Sequence, residues 1–151
     1  MSLAAAVVTR WNNAALNSSI AVLYRANPGL DEFGAMPEDL GTKDLPRAEF
    51  FLEEDTPNSH TVAYRIRRAF LTFRVYHSND HTLESLLTSI EDNFDNAENA
   101  GSNPFSLSSS FGEVVCVQYR GPREIHPVDE GIFLGTVTFS VDWQKARVTP
   151  D

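Results

Sequence analysis

YRIRRAFLTFRVYHSNDHTLESLLTSIEDNFDNA, residues 64–97, joins the longest alternating run in the chain to its best helical stripe. From Tyr64 to His77 successive side chains alternate in character, which predicts a strand with one buried face. Ala69, Leu71, Phe73 and Val75 point one way; Arg68, Phe70, Thr72, Arg74 and Tyr76 point the other. The second set is half charge and half aromatic, too apolar for plain solvent and too charged for a core. Such a face is expected to meet something, and Arg68, Phe70, Arg74 and Tyr76 are its candidate self-association residues. The charge-reversing exchange Arg74→Glu is then expected to weaken self-association while leaving the monomer folded.

Directly after the strand, Ser78-Asn79-Asp80 supplies capping oxygens, and Asp80 and Glu84 bring negative charge to the first turn. A helix therefore starts near Asn79. Leu83, Leu86, Leu87, Ile90, Phe94 and Ala97 recur at spacings of three and four, so they form one stripe, with the acids on the remainder. Laying this stripe over Ala69, Leu71, Phe73 and Val75 is worth on the order of 10 kcal/mol before conformational entropy opposes it. That packing is the expected main core.

Upstream, Arg47–Glu53 reads as a strand with Ala48, Phe50 and Leu52 on one face. The polar, proline-broken link from Glu54 to His60 predicts an extended antiparallel hairpin with the long strand. Before it, Ala26–Pro46 carries Pro28, Gly29, Gly34, Pro37 and Gly41 among several acids, which predicts a long loop. The alanine-rich start, with Leu3, Val7, Trp11, Ala14 and Ala15 at helical spacing and Ser2 as a cap, predicts a helix of about three to four turns. Ile20–Arg25 follows as a short strand. Downstream, residues 96–110 are expected to loop through the serines at 106 and 108–110. Glu113–Arg120 forms a strand, 121–131 another loop, and the run to Trp143 a last strand. In that strand Phe133, Gly135, Val137, Phe139, Val141 and Trp143 alternate with Leu134, Thr136, Thr138, Ser140 and Asp142, before a frayed tail after about residue 144. The order α-β-β-β-α-β-β predicts an α+β domain with a mostly antiparallel sheet and two helices packed on one face.

A length of 151 residues suits a single domain, 1–151, with a core that needs no disulfide or metal. The lone cysteine, Cys116, between Val115 and Val117, is expected to be a buried strand thiol in a reducing compartment. No apolar run reaches membrane-spanning length, and the start lacks the pattern of a signal peptide, so a soluble intracellular protein is expected. Twelve basic and twenty-one acidic residues give a net charge of −9, which argues against a broad phosphate-gripping face. The arginines gather at 65–74 and the acids at 31–55 and 84–98, a separation that suits head-to-side association between copies and equally a solvated sheet face.

Few residues are arranged for chemistry. His77, Asp80 and His81 crowd the strand-to-helix turn, but their spacing does not match a zinc motif with two histidines four apart on a helix; a helix cap with exposed histidines is the simpler reading. Gly29, Gly34 and Gly41 are too scattered for a phosphate-cradling loop, and no G-x-S-x-G elbow surrounds the serines. His126, Asp129 and Glu130 read as a solvated acidic loop. No catalytic residue, metal ligand or cofactor is therefore assigned.

The element order resembles the tail-terminator or tail-completion proteins, the minor tail and head-tail joining components of long-tailed bacteriophages. The segments that carry the likeness are the arginine-rich strand through Arg74-Val75-Tyr76-His77-Ser78 into the helix, and the closing run Phe133–Trp143. The resemblance covers most of the chain as pattern, and the insertion at 26–46 is where the chain could depart from it. It implies a non-enzymatic structural protein that forms a ring, commonly a hexamer, at the end of the tail tube. Its partners would be further copies of itself, tail-tube proteins and head-connector proteins. DNA would pass through without being held, and the protein would move from the host cytoplasm into the virion. Two other classes remain open: a small α+β ligand-binding or regulatory dimer, and a small enzyme using His77, Asp80 and His81.

Overall fold

A computed structural model describes residues 3–20, 23–25, 45–60, 64–96 and 113–146, with residues 54–60, 64, 65, 113, 145 and 146 described by their backbone alone. Most of the loop expected at 26–46, the serine-rich loop and the tail beyond Ala146 lie outside the described residues. The elements are α1 (Leu3–Asn13), a 3-10 turn (Leu16–Ser18), β1 (Leu23–Arg25), β2 (Arg47–His60), β3 (Tyr64–His77), α2 (Asp80–Phe94), β4 (Glu113–Tyr119), β5 (Glu124–Asp129) and β6 (Ile132–Ala146). The α+β class and the two-helix, mainly antiparallel arrangement are as the sequence predicts.

Six strands form one sheet in the order β1-β2-β3-β6-β4, with β5 also on β6. Among the described residues, only β1 runs parallel to its neighbour, β2. The expected hairpin is present and long: β2 and β3 pair from Arg47–Tyr76 out to His60–Arg65. Register shifts at Glu53/Thr56 and Pro57/Ser59 let the strand continue past Pro57, where the sequence suggests a break. β6 is the spine, matched to β3 along the whole of it from Phe133–His77 to Ala146–Tyr64.

The other side of β6 is shared, with β5 against Ile132–Thr136 and β4 against Phe139–Gln144. β5 is a correction to the sequence reading, which expects loop from 121 to 131. Its charges and Pro127 weaken the alternation, yet the edge of β6 supplies a ladder, and proline is tolerated on an outer strand. A two-residue turn, Glu130-Gly131, joins the two strands, with Gly131 at φ +72°, a conformation glycine adopts without strain.

Both helices cover the face predicted from β3. α1 buries Leu3, Ala6, Val7 and Trp11; α2 buries Leu83, Leu87, Ile90 and Phe94, with Leu86 half-buried. Asn79 caps α2, its side-chain oxygen accepting from the Thr82 N–H at 3.0 Å. Phe73, fully buried, is the hub of the core. Its ring lies 4.8 Å from Phe94, 5.8 Å from Trp11, 6.1 Å from Phe139 and 6.3 Å from Phe50, so one side chain ties two helices to three strands. α2 sits close over β6 because residue 135 is glycine: a Cβ there would come within 2.8 Å of Leu87 Cδ1.

Polar links fix the helix ends. Arg10 Nε donates to the Asn93 carbonyl at 2.9 Å, joining the last turn of α1 to that of α2. Past α2, the Asn96 N–H donates to Val117 O at 2.9 Å and the Tyr119 N–H to Asp95 Oδ1 at 2.9 Å, which occupies backbone groups of β4.

Candidate functional site

The sheet face turned away from the helices carries the residues singled out from the sequence, and register places them in rows. Arg47 lies beside Tyr76, which lies beside Leu134. Tyr24, Glu49, Arg74 and Thr136 form the next row. Phe51, Thr72 and Thr138 follow, then Glu53, Phe70, Ser140 and Gln118, and finally Arg68, Asp142 and Cys116.

Part of this face is interior. Arg74 is 1% exposed and Tyr76 fully buried, so they are not the open contact residues that strand alternation suggests. Arg74 pairs with Glu49 at 3.0 Å, and its guanidinium lies 5.2 Å from the Phe51 ring centre. Arg47 approaches the same carboxylate at 3.7 Å and stands 4.5 Å over the Tyr24 ring. Tyr76 packs with Ile132 and Leu134, flanked by Leu45 and Val128, in a second small apolar cluster. Burial above all pushes its hydroxyl pKa up to about 12, with the Glu49 carboxylate adding to the effect. The expectation for Arg74→Glu changes accordingly: the exchange sets a second carboxylate beside Glu49 in a closed site and is expected to destabilise the monomer itself.

The other end of the face is more open. Phe70 is 37% exposed, although it stands on a strand whose neighbours Ala69 and Leu71 are fully buried. Arg68 is half-buried and grips Asp142 with two hydrogen bonds, 2.8 and 3.0 Å long, a forked pairing that also raises the guanidinium pKa. Beside Phe70, Arg120 Nε donates to Ser140 Oγ at 3.0 Å, and the Thr72 and Thr138 hydroxyls pair at 3.2 Å. Phe70 is thus an apolar side chain held proud of a rigid, hydrogen-bonded surround.

Cys116 departs from the buried core thiol expected of it. A bulge between Val114 and Cys116 turns the chain, leaving Val115 47% exposed and Cys116 half-buried opposite Asp142. Glu49 and Asp142 are the partners that the sequence reading missed. The signal is charge complementarity: once the hairpin and β3–β6 registers are set, each stands opposite an arginine on the same face.

His77, Asp80 and His81 serve the helix start. His77 Nδ1 accepts the Asn79 N–H at 2.9 Å, and Asp80 Oδ1 accepts the His81 N–H at 2.9 Å. Partial burial lowers the His77 pKa from its usual value, in keeping with a neutral ring that accepts a hydrogen bond. Among the described residues no group of three His, Cys, Asp or Glu side chains is placed to hold a metal ion, and no helix is long and apolar enough to cross a membrane.

Fold and face together define a small α+β protein built on one six-stranded sheet, with an arginine- and aromatic-bearing outer surface. No family model and no curated protein matches the sequence. Among solved structures, the fold is similar to that of a chain in the virion of a native gene transfer agent particle. The TM-score is 0.57 at 13% sequence identity, covering 87% of this chain and 84% of that one.

Proposed function

We propose that this chain is a structural protein of a phage-type virion, a tail-terminator or head-tail joining subunit that self-associates into a ring at the end of the tail tube. The observation that carries the reading is the fold shared with a chain of a gene transfer agent virion over most of both lengths. Three features support it. The outer face presents Phe70 beside the braced Arg68, an apolar anchor with a charged rim. The strongly acidic balance lets DNA pass a lumen without adhering. The outer face is a hydrogen-bonded sheet on which Arg68 is held by Asp142 and Arg74 by Glu49 in fixed geometry.

In this role the protein breaks no bond in a substrate. Its partners are further copies of itself, tail-tube proteins and head-connector proteins, and its destination is the virion. The direct test is the mass of the purified protein as concentration rises, by sedimentation velocity, with negative-stain imaging of the assembled fraction. Discrete rings are expected, weakened by Phe70→Glu without a change in monomer folding. A chain that remains monomeric at every concentration overturns the reading.

A further inference from the structure

One row of the outer face crosses the whole sheet. Register runs from Tyr24 on β1 through Glu49, Arg74 and Thr136 to Glu124 on β5, so the ends of the row lie on opposite margins of the sheet. At about 4.8 Å per strand those ends stand roughly 19 Å apart.

The β1–β2 end has an arginine to spare. Its described charged residues are Arg25, Arg47 and Glu49, and Glu49 is already held by Arg74 at 3.0 Å. Arg47 approaches the same carboxylate only to 3.7 Å, an ion pair too long for a hydrogen bond. Its Nε is buried with no hydrogen-bond partner among the described residues, while 22% of the side chain stays exposed. Tyr24, 47% exposed, lies beneath the guanidinium at 4.5 Å and holds it in place. A guanidinium has five N–H donors, and this one is positioned, partly desolvated and left short of acceptors by its own chain.

The β5 end lacks the opposite charge. Residues 124–130 hold three acids, Glu124, Asp129 and Glu130, all exposed, and no lysine or arginine. Asp129 Oδ1 accepts the Glu130 N–H at 2.7 Å, and among the described residues no cation pairs with any of the three. Pro127 removes a backbone donor from this margin, so a neighbour meets it through side chains rather than by adding a strand.

We propose that the β1–β2 margin of one protomer, through Arg47 on its Tyr24 support, takes the carboxylates at the β5 margin of a second copy of this chain, Glu124 first because it stands in the same row. Opposite margins of one sheet meet, so two different patches are joined and the contact repeats from copy to copy, the arrangement that closes into rings. The proposal rests on the ring reading above and names two of the surfaces that make the ring. Charge complementarity fixes the pairing, since each margin holds what the other is missing. Phe70, beside Glu53 and six residues along β2 from Arg47, belongs to a different part of the face.

The test uses a carbodiimide, which joins an amine to a carboxylate where the two already touch. Arg47→Lys keeps the charge and supplies the amine. The variant is mixed with isotope-labelled copies of itself at a concentration where the parent assembles, and linked peptides are read by mass spectrometry. A mixed-label link from position 47 to Glu124, Asp129 or Glu130 is expected. In sedimentation velocity, Glu124→Gln with Asp129→Gln shifts half-assembly to about tenfold higher concentration with the unfolding midpoint of the monomer unchanged. Tyr24→Ala, at an exposed position, shifts it about threefold. If the parent never assembles, both the ring reading and this contact fall. If the parent assembles and position 47 links only within its own chain, to another surface of the neighbour or not at all, the contact falls and the ring stands. Should Arg47→Lys fail to fold, the Glu124→Gln and Asp129→Gln variant decides, and an unchanged half-assembly concentration overturns the contact.

Discussion

Phe73 and Phe70 stand three residues apart on β3 and face opposite sides of the sheet, so truncating each to alanine asks directly which side is core. Phe73 is fully buried among the rings of Trp11, Phe50, Phe94 and Phe139. Removing it costs the transfer free energy of the side chain and leaves a cavity that four other elements would have to move to fill, which points to the upper part of the usual range of about 3–5 kcal/mol. Against a typical total stability of about 5–15 kcal/mol this is a large share. At about 2–4 °C per kcal/mol for a chain of this size, the midpoint falls by roughly 6–20 °C. Phe70, more than a third exposed, has little burial to lose, and its truncation is expected to stay within about 1 kcal/mol. Urea unfolding followed by tryptophan fluorescence is the assay, since Trp11 and Trp143 are both buried and Trp11 stacks on the Phe73 ring. A loss below about 1.5 kcal/mol for Phe73→Ala, or equal losses for the two variants, would refute the two-faced reading of β3.

The buried pair Arg74–Glu49 is expected to behave as a unit. Arg74→Met or Glu49→Leu alone strands a charge and costs about 3–5 kcal/mol, whereas the double variant recovers much of that loss; strictly additive losses in denaturant would show that the two side chains are not coupled. His77 has a folded-state pKa below its unfolded value, so the unfolded chain binds the proton more readily. Its contribution to stability is present above the unfolded pKa and is lost as pH falls through that value towards the lowered one; NMR titration giving a pKa at or above 6.5 contradicts this. Tyr76 has the opposite signature, a raised pKa on an acid. It stabilises below pH 10 and loses that contribution between 10 and about 12, and ultraviolet titration of the parent against Tyr76→Phe should lose one phenol titrating near 12.

Most of the architecture can be read from residue order because the alternation is clean where burial is one-sided. The core face of β3, the stripe of α2 and the alternating face of β6 follow from apolar spacing alone. Legibility fails where something other than side-chain pattern decides. β5 exists because β6 offers a backbone ladder, and its own residues signal a loop. β2 continues beyond Glu53 because bulges absorb the proline. The outer face was the hardest to read, since a strand pattern separates two faces without saying whether the polar one is wet. Arg74 looks solvent-facing from alternation, and only the cross-strand carboxylate of Glu49 makes its burial tolerable. Arg68 and Phe70 keep the exposure that the pattern suggests, while Cys116 follows the bulge rather than its valine neighbours.

The placement of β6 has a consequence for how the protein comes into being. β3, β4 and β5 all take their main ladder from a strand that leaves the ribosome after every one of them. Among the described strands, β4 and β5 have none to join until then, and the hairpin of β2 and β3 waits for β6 along one margin. A nascent chain therefore cannot hold a finished sheet before β6 has left the ribosome. The sheet, and with it any surface that the sheet could offer, is complete only once β6 is in place.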